Sequence, residues 1–501
     1  MNLMTTDIWS RIIGLFWFDE AEPMIFSSGL FLFLFAIFLL IYSTNTMRRA
    51  TTARLLYVVA FSLFFYFKSS GFYFLILVAV SLCDHMITQT IFETSSLKWR
   101  KALVALSLSL NLSMLGYFKY TNLFVEIANG MFGEGFLQFQ SIFLPVGISF
   151  YIFQSMSYTI DIYRCRIAPL EDWLDYLFYL SFFPQLVAGP IVRACDFVPQ
   201  IRVPLKVTRE MFGSALFLIV TGLFKKAVLS DFISLSFVDR VFDEPLLYTG
   251  FDSLMAIYGY ALQIYCDFSG YSDMAIGLAL LMGFKFPKNF DAPYKSATIT
   301  EFWRRWHISL STWLRDYLYI SLGGNKVPKY RIYFNLLFTM LMGGLWHGAA
   351  VRFILWGALH GVALALHKVW LERVEGAKVW GDDMERVWKW LGIFFTFNVV
   401  SLGWLLFRAN SMEVVATMLR QIFTDFEFAH IGAALKSYSS FYILLVLGYV
   451  LHLLPTRYSD YVRERLTNAP LWQQVAVVLV VAWLVMQFKS SDIQPFIYFQ
   501  F

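Results

Sequence analysis

The chain has 501 residues, of which 58% are hydrophobic and 15% charged, and its formal net charge is +5. Soluble domains carry about 45–50% apolar and about 25% charged residues, so this composition indicates a polytopic membrane protein rather than a set of soluble domains. The charge is too small to suggest a nucleic-acid-binding protein, and it fits cytoplasmic loops rich in Lys and Arg.

The N-terminus lacks the basic start and small-residue cleavage site of a secretory signal peptide. Apolar residues at helical spacing predict a short interfacial helix over residues 8–18. We divide the chain into an N-terminal extension, 1–23, and a single membrane domain, 24–501. The four cysteines lie far apart, so we expect neither a disulfide framework nor a zinc site.

Apolar segments recur along the whole chain, and a bilayer core of about 30 Å requires about 20 apolar residues per helix. Several segments are too short or too interrupted to cross alone. We therefore predict an all-α polytopic fold with roughly 10–13 transmembrane helices plus re-entrant or in-plane helices. The candidate spans are residues 25–43, 54–68, 72–90, 102–119, 141–160, 171–189, 209–229, 247–265, 268–283, 332–346, 350–368, 388–407, 440–455 and 472–487.

Loop charges predict an orientation for the first spans. The approach to the first span is acidic, whereas the loops after the first and third spans are basic, which places the N-terminus outside and these loops in the cytoplasm. The basic residues of the two loops are Arg48, Arg49, Arg54, Lys98, Arg100 and Lys101.

Segment 174–195 breaks this pattern. It lies between loops 161–170 and 190–208, which both look cytoplasmic, and it contains Pro184 and Pro190. Broken backbone at membrane depth is tolerated only where it is buried in protein or lines a wet cavity. We predict that the segment is re-entrant and lines a cavity, and a short kinked crossing is the alternative.

A charged helix is predicted from Thr298, which has capping-box spacing to Glu301, to the Gly-Gly-Asn of residues 323–325. With four or five charges, it should lie in the membrane plane or line a cavity. We predict that His307 contacts substrate or takes part in catalysis, and the arginines either do so or reach lipid phosphates. The polar stripe is Arg304, His307, Ser311 and Arg315, and the opposite aromatic stripe is Trp306, Leu310, Trp313 and Tyr317.

His347 lies in an otherwise apolar segment, where an ionisable side chain indicates function. Burial disfavours the imidazolium, so the ring should be neutral and available as a base. Gly344 and Gly348 allow close approach of another helix or of a substrate. The alternative is a core histidine that is hydrogen-bonded across helices.

The sequence around the remaining histidines gives less indication of a catalytic role. We interpret His360 and His367 as structural hydrogen-bonding residues. His347 and His360 have a spacing that can hold two stacked haems, but no second pair of ligands matches it. The sequence also lacks an H-E-x-x-H motif or an acidic cluster near the histidines, so we predict no metal site.

A polar run in residues 265–294 separates two apolar segments. Asp267 and Asp273 flank Ser269, Gly270 and Ser272. We predict a break here, which either caps half-helices at a cavity or forms a surface turn.

Several long motifs follow one another in the middle of the chain. They are LPVGISFYIFQSMSYTIDIYR (144–164), FFPQLVAGPIVRA (182–194), YCDFSGYSDMAIGLALLMGF (265–284), FWRRWHISLSTWLRDYLYISLGGN (302–325) and LMGGLWHGAAVRFILWGALHG (341–361). These motifs and their order resemble the membrane-bound O-acyltransferase family, of the bacterial alginate O-acetylation type. The teichoic acid D-alanyl transfer protein and peptidoglycan O-acetyltransferases share this core. The resemblance runs from Met24 to about residue 410, with its core motifs at 144–361.

The resemblance implies a funnelled body around a central tunnel that meets His347. It implies acyl transfer from a cytoplasmic thioester, acetyl-CoA or an acylated carrier protein, to hydroxyls beyond the membrane, with no bound cofactor. His347 matches the family's membrane histidine and His307 its second histidine. The expected partners are the lipid bilayer, a polysaccharide acceptor such as alginate and a periplasmic or extracellular acetylation protein, and the expected location is the bacterial inner membrane.

We therefore predict an O-acyltransferase, with an acyl-group or glycan-precursor transporter as the alternative. Only the transferase would consume a thioester. The predicted site residues are catalytic His347 and His307, with substrate contacts from Arg304, Arg305, Trp306, Ser311 and Trp346.

Overall fold

The computed structural model describes residues 14–20, 22–187, 189–374, 382–488 and 496–497, and within them every regular element is a helix. The all-α prediction is therefore confirmed. The interfacial helix predicted over residues 8–18 lies mostly outside the described residues. Two compact units form, 14–215 with 275–286 and 216–274 with 287–488. The single domain from residue 24 onward stays a prediction.

The first unit contains the N-terminal helices. Its aromatic core surrounds Phe183, whose ring lies 5.2 Å from Phe61 and 5.9 Å from Phe65. The helices are Gly29–Tyr42, Asn45–Arg49, Thr51–Ser70, Phe74–Glu93, Leu97–Leu115, Thr121–Phe132, Ile148–Tyr163, Trp173–Ser181, Phe183–Leu186 and Ala194–Ile201, and Arg209–Leu223 begins here.

Segment 174–195 is broken, as predicted. Trp173–Ser181 has 9 residues, too few to cross a bilayer, and the chain turns at Phe182. Arg202, just beyond the segment, donates a hydrogen bond to Asp175 at 2.6 Å. The chain shortly after the segment thus returns to the start of the segment, and the re-entrant course stays a prediction. Nearly all of its residues are buried, so its backbone is covered by protein.

The predicted cytoplasmic loops of this unit contact each other. Arg54 Nη2 donates to the Val203 carbonyl oxygen at 2.9 Å, and Arg100 Nη2 donates to the Tyr163 carbonyl oxygen at 2.9 Å. Both arginines lie in the first turn of a helix rather than in a loop, Arg54 in Thr51–Ser70 and Arg100 in Leu97–Leu115. Their hydrogen bonds still connect chain segments that share one predicted side.

The second unit contains the histidine-bearing segments. Its helices are Asp231–Ile233, Asp239–Asp243, Gly250–Leu281 (which continues into the first unit), Ile299–Arg305, Ile308–Trp313, Lys329–His347, Val351–Val374, Asp382–Arg408, Met412–Thr424, Ile431–Ser437, Ser439–Leu453, Thr456–Asn468 and Leu471–Phe488, with π-helical turns at Phe224–Ser230, Ser234–Val238 and Leu314–Tyr319.

A tightly packed hairpin of Lys329–His347 and Val351–Val374 forms the frame of this unit. A Cβ atom at Gly344 would lie 2.2 Å from the Phe353 carbonyl oxygen, and one at Gly357 would lie 2.4 Å from the Met340 carbonyl oxygen. Only glycine permits backbones to approach so closely. The glycine-notched helix predicted around His347 therefore packs against the next helix along the chain.

Two predicted features of the second unit are wrong. The polar run at Asp267 and Asp273 does not break a helix, because Gly250–Leu281 is continuous through it. Both aspartates are paired with lysines of the preceding helical segment: buried Lys226 Nζ lies 2.7 Å from Asp267, and half-buried Lys225 Nζ lies 2.6 Å from Asp273.

The charged helix after Thr298 is also interrupted. Its cap is as predicted, since Thr298 Oγ1 accepts from the Glu301 N–H at 3.1 Å. The helix ends at Arg305, and His307 adopts a left-handed conformation with φ 42° before the next helix begins. The predicted polar stripe is thereby divided, whereas the four residues of the aromatic stripe are all buried.

Six helical segments of the described chain are long and apolar enough to cross a membrane, and a seventh is a pair bent by 90°. The protein is a multi-pass membrane protein by this measure. The number of crossings predicted above stays a prediction, because shorter helices can cross where other helices surround them.

Candidate functional site

His347 is the last residue of its helix and is 3% exposed. Its ring centroid lies 4.9 Å from Trp356 and 5.2 Å from Phe407, both in edge-on geometry. Gly348 continues the chain in an extended conformation, and a Cβ atom there would lie 2.0 Å from the Phe353 ring. One aromatic ring of the second hairpin helix and one of Asp382–Arg408 therefore contact this imidazole.

His307 is fully buried and sits at the break between two short helices. Its Nδ1 lies 3.3 Å from Asn289 Oδ1 and 3.4 Å from Ser309 Oγ. The left-handed backbone of a bulky residue is uncommon and costs on the order of 1–3 kcal/mol, so the surrounding structure must enforce it. The Ile308 N–H helps to do so, because it donates to the Asn289 carbonyl oxygen at 2.9 Å.

Asn289 determines which nitrogen of His307 carries the proton. Asn289 Oδ1 accepts from the Ser309 N–H at 3.2 Å, and its Nδ2 donates to Ser272 at 3.2 Å, which fixes the amide orientation. His307 Nδ1–H is then the donor to Oδ1, and Nε2 is the basic nitrogen. Burial lowers the pKa of His307 to about 3, so the ring is neutral at physiological pH.

Trp346 brings the two histidines into one site. Its ring lies 6.1 Å from His307 on one side and 5.0 Å from His347 on the other, as measured between ring centroids. Trp346 is itself buried. Two buried imidazoles therefore lie within contact distance of one indole ring.

The other predicted site residues divide into two groups. Arg304 and Ser311 line a cavity whose wall also includes Ile308, the residue after His307. Arg305 is engaged with acids, because its guanidinium lies 2.9 Å from Glu301. Trp306 is buried, and its ring lies 4.8 Å from Trp404.

The remaining histidines of this unit differ in their partners. His367 Nδ1 is 2.8 Å from Thr300 Oγ1, as expected for a structural hydrogen bond. The same prediction is wrong for His360, because neither of its nitrogens has a hydrogen-bond partner among the described residues. Its ring instead packs 4.7 Å from Trp356 and 5.2 Å from Trp303. His452 Nε2 accepts from the Tyr294 N–H at 3.2 Å.

Several residues at the site were not predicted from sequence. Asn289 lies eighteen residues before His307, and Ser309 is the second residue after it. Trp356 and Phe407 face His347. Asn289 belongs to the polar run that was noticed at 265–294, but that run carries no periodicity that links it to His307.

A helical multi-pass membrane protein with a buried pair of histidines is the class that these observations define. Residues 169–406 match the profile of the MBOAT, membrane-bound O-acyltransferase family. The chain is 36% identical to the probable alginate O-acetylase AlgI of Azotobacter vinelandii, over 95% of this chain and 100% of that protein. The chain belongs to this family and is an O-acyltransferase.

Two other relatives show the range of acceptors in the family. The peptidoglycan O-acetyltransferase of Helicobacter pylori is 37% identical, over 73% of each chain. The teichoic acid D-alanyltransferase of Streptococcus thermophilus is 32% identical, over 54% of this chain and 69% of that protein. These names cover different acyl groups and different polymers.

Proposed function

We propose that this acyltransferase moves acetyl from a cytoplasmic thioester to hydroxyls of an exported cell-surface polysaccharide such as alginate. The donor is acetyl-CoA or an acylated carrier protein. The single observation that carries the chemistry is the buried pair His347 and His307 on either side of Trp346. The alginate O-acetylase and peptidoglycan O-acetyltransferase names of the relatives support acetyl as the group and a polysaccharide as the acceptor.

In this mechanism His347 is the general base. It accepts the proton of the acceptor hydroxyl while that oxygen attacks the thioester carbonyl carbon. The new C–O bond forms, the C–S bond breaks, and the thiol leaves with the proton that His347 held. General-base assistance contributes about 10²–10⁴-fold, so the positioning of donor and acceptor must supply most of the remaining acceleration.

His307 then orients the acceptor. With Nδ1–H directed to Asn289, its Nε2 accepts a hydrogen bond from the acceptor hydroxyl and holds that oxygen beside the thioester. A neutral ring at this depth avoids the desolvation of a buried charge. The reaction as proposed needs no bound cofactor.

The proposed location is the cytoplasmic membrane of a bacterium. The donor is made in the cytoplasm and the polymer is assembled outside, so the acyl group must cross the bilayer. A periplasmic or extracellular acetylation protein is the proposed partner that completes transfer to the polymer.

The test is transfer by purified protein in vesicles that contain a labelled acetyl thioester and present the acceptor or partner outside. Wild type should consume the thioester, and His347→Ala should lose at least about a thousandfold of the transfer rate while it remains folded. Gel filtration and thermal unfolding check the fold. Near-normal transfer by His347→Ala would refute the assignment, and the absence of thioester consumption by wild type would refute the reaction.

A further inference from the structure

A polar cluster lies inside the first unit, among residues that the proposed reaction does not use. Its centre is Asp84, which is 1% exposed and lies in a helical segment apolar enough to cross a membrane. Asp84 forms no ion pair with a Lys, Arg or His within the described part of the chain. A carboxylate that is buried without a counter-charge is costly, and ionisable residues inside membrane segments indicate function.

Three side chains of two other helices donate hydrogen bonds to this carboxylate. Ser107 Oγ donates to Asp84 Oδ1 at 2.6 Å, and Asn111 Nδ2 donates to Oδ2 at 2.7 Å. Ser155 Oγ also donates to Oδ2. These contacts stabilise negative charge on Asp84, but hydroxyl and amide groups are neutral and leave the charge itself uncompensated.

The hydroxyl hydrogens around Asp84 are all in use. Because Ser107 donates its only hydroxyl hydrogen to Asp84, Thr159 must be the donor in its 3.2 Å contact with Ser107. For the same reason Tyr176 is the donor to Ser155 at 2.8 Å. Each hydroxyl therefore has oxygen lone pairs available and no free hydrogen.

The amide of Asn111 adds an oxygen that lacks a partner. Its Nδ2 donates one hydrogen to Asp84 and the other to the Ser107 carbonyl oxygen at 3.0 Å. Its Oδ1, on the same amide group, is buried and has no hydrogen-bond partner among the described residues, and Asn111 as a whole is 2% exposed. No hydroxyl hydrogen of the cluster remains for this oxygen. The cluster thus combines surplus oxygen lone pairs with an uncompensated negative charge.

We propose that this cluster binds one Na⁺ ion. Oxygen ligands suit hard cations, and one carboxylate matches a single positive charge, whereas Ca²⁺ sites commonly use several carboxylates. A water molecule would satisfy the free amide oxygen but would leave the charge of Asp84 uncompensated. The ligand oxygens come from Asp84, Ser107, Asn111, Ser155, Thr159 and Tyr176.

The ion connects four helices of the first unit. Because Na⁺ binds the folded cluster and not the unfolded chain, it stabilises this unit by mass action. The last of the four helices opens segment 174–195, so the bound ion also anchors the start of that broken segment. The helices are Phe74–Glu93, Leu97–Leu115, Ile148–Tyr163 and Trp173–Ser181.

The test measures the binding of radiolabelled Na⁺ to the purified full-length protein in detergent. Wild type should bind one ion per chain. Asp84→Asn should weaken binding at least about a hundredfold, because it removes the one full negative charge of the site. Asn111→Ala should weaken it at least about tenfold, since a ligand oxygen is lost. The matched control is Asp267→Asn, which removes a buried carboxylate that Lys226 already pairs at 2.7 Å and should leave Na⁺ binding unchanged.

A second measurement compares thermal unfolding in sodium chloride and in choline chloride at equal ionic strength. Wild type should melt at a higher temperature in sodium, and Asp84→Asn should melt at the same temperature in both salts. Wild type that binds no Na⁺ and melts equally in both salts would show that Asp84 carries a proton instead, which overturns the inference.

Displacement of the label by equimolar Ca²⁺ but not by unlabelled Na⁺ would also overturn the inference, because the site would then select a divalent ion. Should Asp84→Asn fail to fold, the wild-type measurements and Asn111→Ala decide the question. Neither readout depends on acyl transfer, so failure here leaves the proposed reaction standing.

Discussion

His347 and His307 are both buried imidazoles against Trp346, yet the chain positions them in different ways. His347 ends a 19-residue helix that packs backbone to backbone against Val351–Val374. His307 occupies a break between helices of 7 and 6 residues, and Asn289 and Ser309 hold its Nδ1. The first ring is placed by packing of a rigid frame, and the second by a local hydrogen-bond network.

This difference indicates a division of roles. A general base must stay at a fixed distance from the reacting carbonyl, which suits the end of a packed helix. A residue that orients the acceptor needs a defined tautomer, which the network around Asn289 provides. The comparison therefore predicts that the two histidines act on one step, although different parts of the fold hold them.

The largest expected effect tests whether the two rings act together. His307→Ala should reduce the transfer rate about a hundredfold, because the acceptor loses its orientation. The double variant His307→Ala/His347→Ala should be no slower than His347→Ala, since residues that act as a unit are not additive. The rates are measured with labelled thioester in vesicles. A double variant that loses the product of the two single effects would assign the histidines to independent steps.

The frame around His347 was predictable from sequence, for a physical reason. An ionisable residue in an apolar segment is conspicuous, and glycines at 344 and 348 have few uses in a membrane helix other than close approach. These glycines form the contact between the two helices of the hairpin, and the two helices follow each other directly in the chain. Composition and helical periodicity are therefore enough to predict this contact.

The surroundings of His307 were not predictable in the same way. No Gly or Pro marks the break at Trp306 and His307, so the cap at Thr298 suggested one continuous helix. The break depends on pairing with residues 289–291, which helical periodicity cannot reveal. The Arg305 carbonyl oxygen, for example, accepts from the Asp291 N–H at 2.9 Å. The site residues of this region were identified, but not their arrangement.

The error at Asp267 and Asp273 has a related cause. A polar run with two carboxylates between two apolar segments suggested that the helix breaks. Their partners, Lys225 and Lys226, lie about forty residues earlier, near the end of another apolar segment. Sequence reasoning that treats each segment alone finds unpaired charges, whereas in the folded chain each of these carboxylates lies beside a lysine.

A pair of neighbouring glycines tests whether packing positions His347. Gly344→Ala should destabilise the protein by about 1–3 kcal/mol, because the new Cβ would lie 2.2 Å from the Phe353 carbonyl oxygen and must push the hairpin apart. It should also slow transfer, since the ring at the end of the helix moves with the backbone. Gly343→Ala is the matched control, because its Cβ meets only the end of the Leu314 side chain at 3.3 Å.

Thermal unfolding and transfer rates of both variants provide the measurement. The comparison fails if Gly344→Ala and Gly343→Ala have the same stability and rate. In that case the close contact between the two hairpin helices does not position His347.

The smallest expected effect concerns the neutral state of His307. Burial lowers its folded-state pKa to about 3, whereas the ring titrates near 6.5 in the unfolded chain. Above pH 6.5 neither state binds the proton. As the pH falls below 6.5, only the unfolded state is protonated, so the folded state loses about 2 kcal/mol of stability from this group by pH 5.

His307→Gln removes this titration and leaves the other buried histidines in place. The stability lost between pH 7 and pH 5 should therefore be smaller in the variant than in wild type, as measured by unfolding of the detergent-solubilised protein at both pH values. Equal losses would mean that His307 is protonated or solvated in the folded protein. The hydrogen bonds at Asn289 would then not hold a neutral ring. His307 and His347 would differ only in how the backbone positions them.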